Sequence, residues 1–381
     1  MKSTWLVFAL CLCVSLVNSV GGAEDQKKVV AEERAKIQLA ILLDTSGSMD
    51  GLINQARTQL WKIVNQLATA KRDGQVPDLE VALYEYGKNS IPESEGFTRQ
   101  IVGLTDDLDK ISEELFQLRT NGGKEYCGHV IQAATRELKW SEHDQSLKLI
   151  FICGNEAFTQ GSVNYKQACS AAIAKGVTVS TVFCGPEQTG RSTGWQHGAQ
   201  LADGSFLSIN QDQAVAKIQT PFDSDLSALS SQVNQTYAFA GAGAKSAKKR
   251  QANADKLAAE AAPAAAAERA RFKVSGQYRS AGDLVDGVAN GKVKLATIAD
   301  ADLPPALQKK SLAEKRDILQ QLGRKRKEIH KRIRDLSAKR AEFLAKERSK
   351  QAATAKNDTL DTAIIKALRS QARRKLYVLP E

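Results

Sequence analysis

"KIQLAILLDTSGSMDGL", residues 36–52, decides the fold. From Ile37 to Leu43 the run is apolar except for Gln38. That is how a strand covered on both faces reads, as in the middle of a parallel sheet. The run ends at Asp44, and hydroxyl side chains follow at alternate positions, Ser46 and Ser48, around Gly47. Next, Leu52, Ala56, Leu60, Ile63, Val64 and Leu67 recur at helical spacing. A buried strand, an oxygen-rich turn and an amphipathic helix predict a βα unit with its turn open to a ligand.

The alternation continues. "LEVALYEYG" (79–87), "LKLIFICG" (147–154) and "VTVSTVFCG" (177–185) read as further strands, and "TRQIVGL" (98–104) as a short edge strand. Helical stretches separate them at 108–118, 125–138, 164–176 and 195–204, and "SFLSIN" (205–210) closes the series. Strands alternating with helices predict an α/β fold over residues 36–215, with a doubly wound, mostly parallel sheet. In such sheets ligands meet the carboxyl ends of the strands, near the point where strand order reverses. Asp44, Gly87, Gly154 and Gly185 all stand at such ends.

Residues 1–23 read as a cleaved export signal. Lys2 precedes a 13-residue apolar run, Trp5 to Val17, and Val20-Gly21-Gly22-Ala23 supplies small residues for cleavage. The expected location is secreted or periplasmic. Export makes disulfides among Cys127, Cys153, Cys169 and Cys184 an expectation. Buried free thiols are the alternative.

Beyond the α/β region, residues 216–277 read as a helix and an Ala-rich linker, and 278–310 as a small helical segment. Residues 311–352 lack proline. Leu319, Leu322, Ile329, Ile333, Leu336 and Phe343 fall at three- and four-residue steps, with Arg326 and Arg340 at two seam positions. This is a coiled-coil spacing and predicts a homodimer through the C-terminal helix. A single amphipathic helix packed on its own chain is the alternative. Residues 357–376 read as a last helix, capped by Asn357 or Asp358. The net charge of +11 resides almost wholly in one segment, because Lys309 to Lys350 holds sixteen basic and six acidic residues. A partly paired, solvated helix face accounts for the Arg324–Arg334 cluster. Its functional reading is contact with an anionic envelope surface, and export argues against nucleic acid.

Asp44, Ser46 and Ser48 offer the carboxylate and hydroxyl oxygens that Mg²⁺ and Ca²⁺ prefer. A serine in this turn could equally cap the following helix. With "ILLDTSGSM" at the end of the first strand, residues 36–215 resemble the von Willebrand factor type A domain family. The resemblance implies a doubly wound α/β fold with a metal-ion-dependent adhesion site. There an acidic residue of a protein partner completes the coordination of a divalent cation. It places Asp44, Ser46 and Ser48 in the first ligand loop. In the second loop Lys124 stands where the family has threonine, with Glu125 next to it and Thr120 upstream as substitute ligands. In the third, Gly154 replaces the usual aspartate, followed by Asn155 and Glu156. Two expectations follow: a cation held by Asp44, Ser46, Ser48 and Glu125, or a Lys124 ammonium paired with Asp44 in place of the metal. No nucleophile elbow or phosphate loop is present, and the four histidines are scattered. The expected function is protein binding without catalysis. A structural coiled-coil scaffold with an inactive domain is the alternative.

Overall fold

A computed structural model describes residues 35–210, 218–280, 282–351 and 360–379. The expected export segment with its cleavage site, and the expected Asn357 or Asp358 cap, lie outside these residues. The strands are β1 Lys36–Asp44, β2 Asp78–Tyr86, β3 Thr98–Thr105, β4 Leu147–Gly154, β5 Val177–Cys184 and β6 Asp203–Ile209. They form one sheet in the order β3-β2-β1-β4-β5-β6. All neighbours are parallel except β2 and β3. The order reverses at β1, so the carboxyl ends of β1 and β4 open the crevice where a ligand is expected.

Helices cover both faces. One core joins β1 and β2 to α1 (Asp50–Ala68) and α2 (Leu108–Gln117), with Trp61 and Leu60 buried. The other packs the opposite face against α3 (Cys127–Glu137) and α4 (Tyr165–Ala174). Short helices α5 (Glu187–Ser192) and α6 (Trp195–Leu201) follow β5. Ile37 and Leu39 face one core while Ala40 and Leu42 face the other. The unbroken apolar run of β1 thus reflects two buried faces.

The C-terminal half does not hang free. It comprises α7 (Asp223–Asn234), α8 (Ala244–Ala261), α9 (Pro263–Lys273), α10 (Leu284–Ala289), α11 (Leu312–Gln351) and α12 (Leu360–Arg374). The Ala-rich stretch forms α8 and α9 rather than a solvated tether. Phe272 of α9 stacks on Trp61 of α1 at 5.3 Å, and Ala258, Ala266 and Ala270 are buried. Small side chains let these helices approach closely. A buried ion cluster joins them to the sheet domain. Arg269 donates to Asp109 of α2 at 2.6 Å and also binds Asp255, while Lys273 binds Asp255 at 2.6 Å. Burial pulls the Lys273 ammonium down to about 8, against the pull of Asp255.

Two expectations are corrected here. The seam of α11 is not available to a second copy. Ile329 and Ile333 pack with Leu226, Leu229 and Val233 of α7, and Leu319 packs with Leu284 and Leu295. Arg326 and Arg340 occupy seam positions for a different reason. Arg326 is 3% exposed, donates to Asp283 at 2.7 Å and lies 3.8 Å over the Tyr237 ring. Arg340 binds Asp223 and Glu268, each at 2.7 Å. A coiled coil does not need arginines aimed at acids of its own chain. Nor are there disulfides, because Cys127, Cys153, Cys169 and Cys184 are free and buried. Cys153 and Cys184 face one core, Cys127 and Cys169 the other, so the sheet separates the two pairs. Cys153 pairs in register with Val182, two residues short of Cys184. Such a diagonal spans roughly 8 Å, beyond the usual Cα reach of a disulfide.

The buried Arg326 makes a measurable distinction. Arg326→Ala should cost about 3–5 kcal/mol, because it strands the carboxylate of Asp283. Lys325→Ala, on the exposed side of the same turn, should change stability by less than about 0.5 kcal/mol. Urea unfolding followed by circular dichroism compares the two, and similar losses would refute the buried role.

Candidate functional site

The site begins with the abrupt end of β1. Asp44 is fully buried, and its Oδ1 accepts from the Ser46 backbone N–H at 2.7 Å, which curls the loop back over the strand end. Thr45 N–H donates to Tyr86 O at 2.8 Å, and Asn121 N–H donates to Thr45 O at 2.9 Å. The first loop is therefore tied to the end of β2 and to the loop that carries Glu125. Helix α1 starts after Met49 with no side-chain cap. The capping role expected of a serine is not taken up, and Ser46 and Ser48 face each other across the turn, Oγ to Oγ 3.4 Å.

Glu125 enters the same space from the second loop. It is 4% exposed. Gly87, at φ +80°, shows how closely the two acids converge. A Cβ there would stand 2.7 Å from Asp44 Oδ1 and 2.9 Å from Glu125 Cγ. Only glycine accepts both that backbone conformation and that proximity. Asp44 Oδ2 and Glu125 Oε2 are buried without a hydrogen-bond partner. Such orphaned carboxylate oxygens are rare, since burial without a partner is costly. Burial, and then the charge of Glu125, push the Asp44 carboxyl well above its ordinary range. Burial raises Glu125 as well, opposed by hydrogen bonding to Asp44 and Ser46. Nearby Glu85 is the contrast. It is equally buried but satisfied by Arg99, by Lys88 at 3.6 Å and by Thr45 Oγ1 at 3.3 Å.

The other sequence candidates fall into place around this pair. Asn155 Nδ2 donates to Ser48 Oγ at 3.0 Å, and Asn155 Oδ1 is buried without a partner. Glu156 is exposed and accepts from Gln160. Thr120 donates to Asp50 rather than pointing at Asp44. Lys124 turns outward, 63% exposed, and its ammonium is 3.5 Å from Glu93. The expected Lys124–Asp44 pair is therefore overturned. The second loop lies with Lys124 on its solvent side and Glu125 on its inner side. Gly154 is glycine for steric reasons. A Cβ there would meet Tyr86 Oη at 2.4 Å and Asp44 Oδ2 at 3.1 Å. Tyr86 Oη donates to Cys153 O at 3.0 Å, so the tyrosine fills the space an aspartate side chain would need. Sequence reasoning missed this role of Tyr86. The signal was a tyrosine rather than an aliphatic residue at the end of a buried strand.

The arrangement is all oxygen: two carboxylates, two serine hydroxyls and one amide. No group of three or more His, Cys, Asp or Glu side chains suited to a metal occurs among the described residues. A cation here would rest on two carboxylates supplemented by neutral oxygens, a donor set fit for a hard divalent ion.

A doubly wound sheet with an oxygen-lined first loop at the switch point defines the class of protein. The von Willebrand factor type A domain model matches residues 38–196, so the sheet region of this chain is a domain of that type. No curated protein matches the sequence. Among solved structures, the chain is similar to an aerotolerance-related membrane protein from Bacteroides fragilis at 15% identity. That alignment covers 46% of this chain and 93% of the other, with a TM-score of 0.32. It is similar to BatB from Bacteroides thetaiotaomicron at 16% identity, covering 45% and 90%, with a TM-score of 0.34. Proximal thread matrix protein 1 from the mussel byssus, with a zinc-occupied MIDAS motif, is 11% identical over 49% of this chain and 44% of its own, with a TM-score of 0.35. At these TM-scores the likenesses support no inference about activity or partners.

The sign of the electrostatics gives a test. A carboxyl raised in the folded state removes stability as pH climbs from its unfolded value through its folded one. In EDTA at pH 7, Asp44→Asn should therefore stabilise the protein. The gain should vanish below the 3.8 of an ordinary aspartate. Urea midpoints at both pH values check this, and a destabilised variant at pH 7 would contradict it.

Proposed function

We propose that this chain is an exported protein-binding module whose type A domain holds a divalent cation, Mg²⁺ or Ca²⁺, on Asp44, Ser46, Ser48 and Glu125. One observation carries the reading: two acids from different loops meet beside Ser46, and their buried oxygens Asp44 Oδ2 and Glu125 Oε2 accept no hydrogen bond. Glu125 takes the place of the missing second-loop threonine and third-loop aspartate, and it arrives from the side that Lys124 leaves. The ion would supply positive charge at an open coordination position for the carboxylate of a protein partner. The chain's residues set its position. Gly87 admits the acids, and the backbone bonds of Thr45 and Asn121 hold the two loops together. Ser48 is exposed, so the rim is open to solvent on that side.

The apolar run and small residues within 1–23, read as an export signal, support an extracytoplasmic setting, and no described helix is long and apolar enough to cross a membrane. A protein-binding role is the one that a type A domain over residues 38–196 supports.

Titration calorimetry with Mn²⁺, Mg²⁺ and Ca²⁺ tests the cation. Binding should release protons, tighten as pH rises from 5 to 8 and disappear in Asp44→Ala. Glu125→Gln should weaken it at least about tenfold, while Lys124→Ala should leave it within about twofold. A wild-type protein that binds none of these ions, or an Asp44→Ala variant that binds them as well, would remove the cation from the reading.

A further inference from the structure

Helix α12 lies along α1, and the two enclose a groove of about 730 Å³. Five cations line it: Lys62 from α1, and Lys366, Arg369, Arg373 and Arg374 from α12. Asp361, beside Lys62, is occupied by that ammonium. Lys366, Arg373 and Arg374 are exposed, as is Lys375 just past the helix. The cations thus run down one side of α12 to its end.

An apolar cluster continues that line. Among the described residues the exposed large apolar side chains are Val76 (43%), Leu312 (37%), Leu376 (70%) and Val378 (70%). Three of these four, Val76, Leu376 and Val378, belong to the two segments that the Lys71–Val378 bridge joins at the end of α12. Lys71 and Val378 exchange backbone hydrogen bonds of 2.9 and 2.8 Å, and Arg72 and Gln75 close the adjoining turn at 2.8 and 2.9 Å, just before Val76. Arg72 Nη1 also donates to Lys375 O at 2.6 Å. Among the described residues the exposed acids nearby are Asp73, paired with Arg72 at 3.4 Å, Asp78, 3.8 Å from Arg279, Glu142, and Asp144 and Asp203, whose backbone carbonyls accept from Lys375 and Arg374. Cations remain in excess along α12.

We propose that this surface, opposite the carboxyl-end rim of the sheet, docks the protein on an anionic lipid bilayer. The cations of α12 meet the headgroups, and Leu376, Val378 and Val76 enter the interface. Exposed basic residues are drawn to anionic bilayers through a field that salt screens. Aliphatic side chains among them gain from leaving water at the acyl boundary. A soluble polyanion would use the groove but would have no use for the aliphatic side chains. The sequence pointed to the basic cluster of α11 for such a contact. There Arg326 is held inside the protein while the other cations of the cluster stay exposed, and what sets the α12 surface apart is that it combines charge with exposed apolar groups. With the cation rim facing away, a docked molecule would keep that rim open to a partner. The inference does not depend on a metal being bound.

Hydrogen exchange of the full chain locates the contact. Phosphatidylglycerol vesicles should slow exchange at residues 71–76 and 375–379 several-fold, phosphatidylcholine vesicles should not, and 0.5 M NaCl should reverse the effect. In sedimentation, Lys366→Glu with Arg373→Glu should weaken vesicle binding at least tenfold. Leu376→Asn with Val378→Ser should weaken it at least threefold at unchanged charge. Asparagine suits the left-handed backbone of Leu376, at φ +61°, so this pair should fold normally. The bilayer would be overturned by unchanged exchange in those segments, by the neutral pair binding as well as wild type, or by polyphosphate alone protecting these residues.

Discussion

Two buried carboxyl groups, each with one oxygen that accepts no hydrogen bond, set the terms for this molecule's rim. Asp44 ends a strand covered on both faces, and Glu125 leans into the same space from the next loop. Their orphaned oxygens cost free energy that a cation or a shared proton can offset. The surrounding loops look built to keep them there. Gly87 admits both side chains, and Tyr86 fills the volume beside Gly154. Backbone bonds from Thr45 and Asn121 prevent the loops from separating. Glu85, in register with Leu43 on the neighbouring strand, has two cations and a hydroxyl around it. The fold can evidently satisfy a buried acid, which makes the unsatisfied pair a feature of this position.

The helical half is joined to the sheet domain by buried charge as well as by small side chains. Arg269 lies between Asp109 and Asp255 and 4.6 Å over the Trp61 ring. Within the helical half, Arg326 and Arg340 tie α11 to Asp283 before α10 and to Asp223 of α7. Such pairs are weak evidence for net stability, because desolvation opposes the attraction. They do fix register: an arginine in the wrong turn would leave an acid alone. That accounts for a long helix with coiled-coil spacing that nevertheless packs on its own chain.

The two ends of the sheet therefore present different chemistry. The carboxyl end gathers oxygens and negative charge around Asp44. The amino end, where α12 finishes beside the starts of the strands, gathers cations and exposed aliphatic groups. The proposed partner-binding rim and the proposed docking surface thus lie at opposite ends of the sheet.

By itself the sequence determined the α/β core. The apolar run 37–43, the turn after Asp44 and the helical spacing from Leu52 are local patterns, and local patterns are legible because burial repeats with the period of each element. The oxygens of Asp44, Ser46 and Ser48 were legible for the same reason, since one turn holds all three. Only the tertiary structure decided what depends on which side of a loop faces inward. Lys124 and Glu125 are adjacent in the chain but point oppositely. Cys153 and Cys127 stand on opposite faces of the sheet. The seam of α11 could have met a second copy or its own chain with the same spacing. The acids opposite Arg326 and Arg340 are 43 and 117 residues away, and no local pattern can report a partner at that distance.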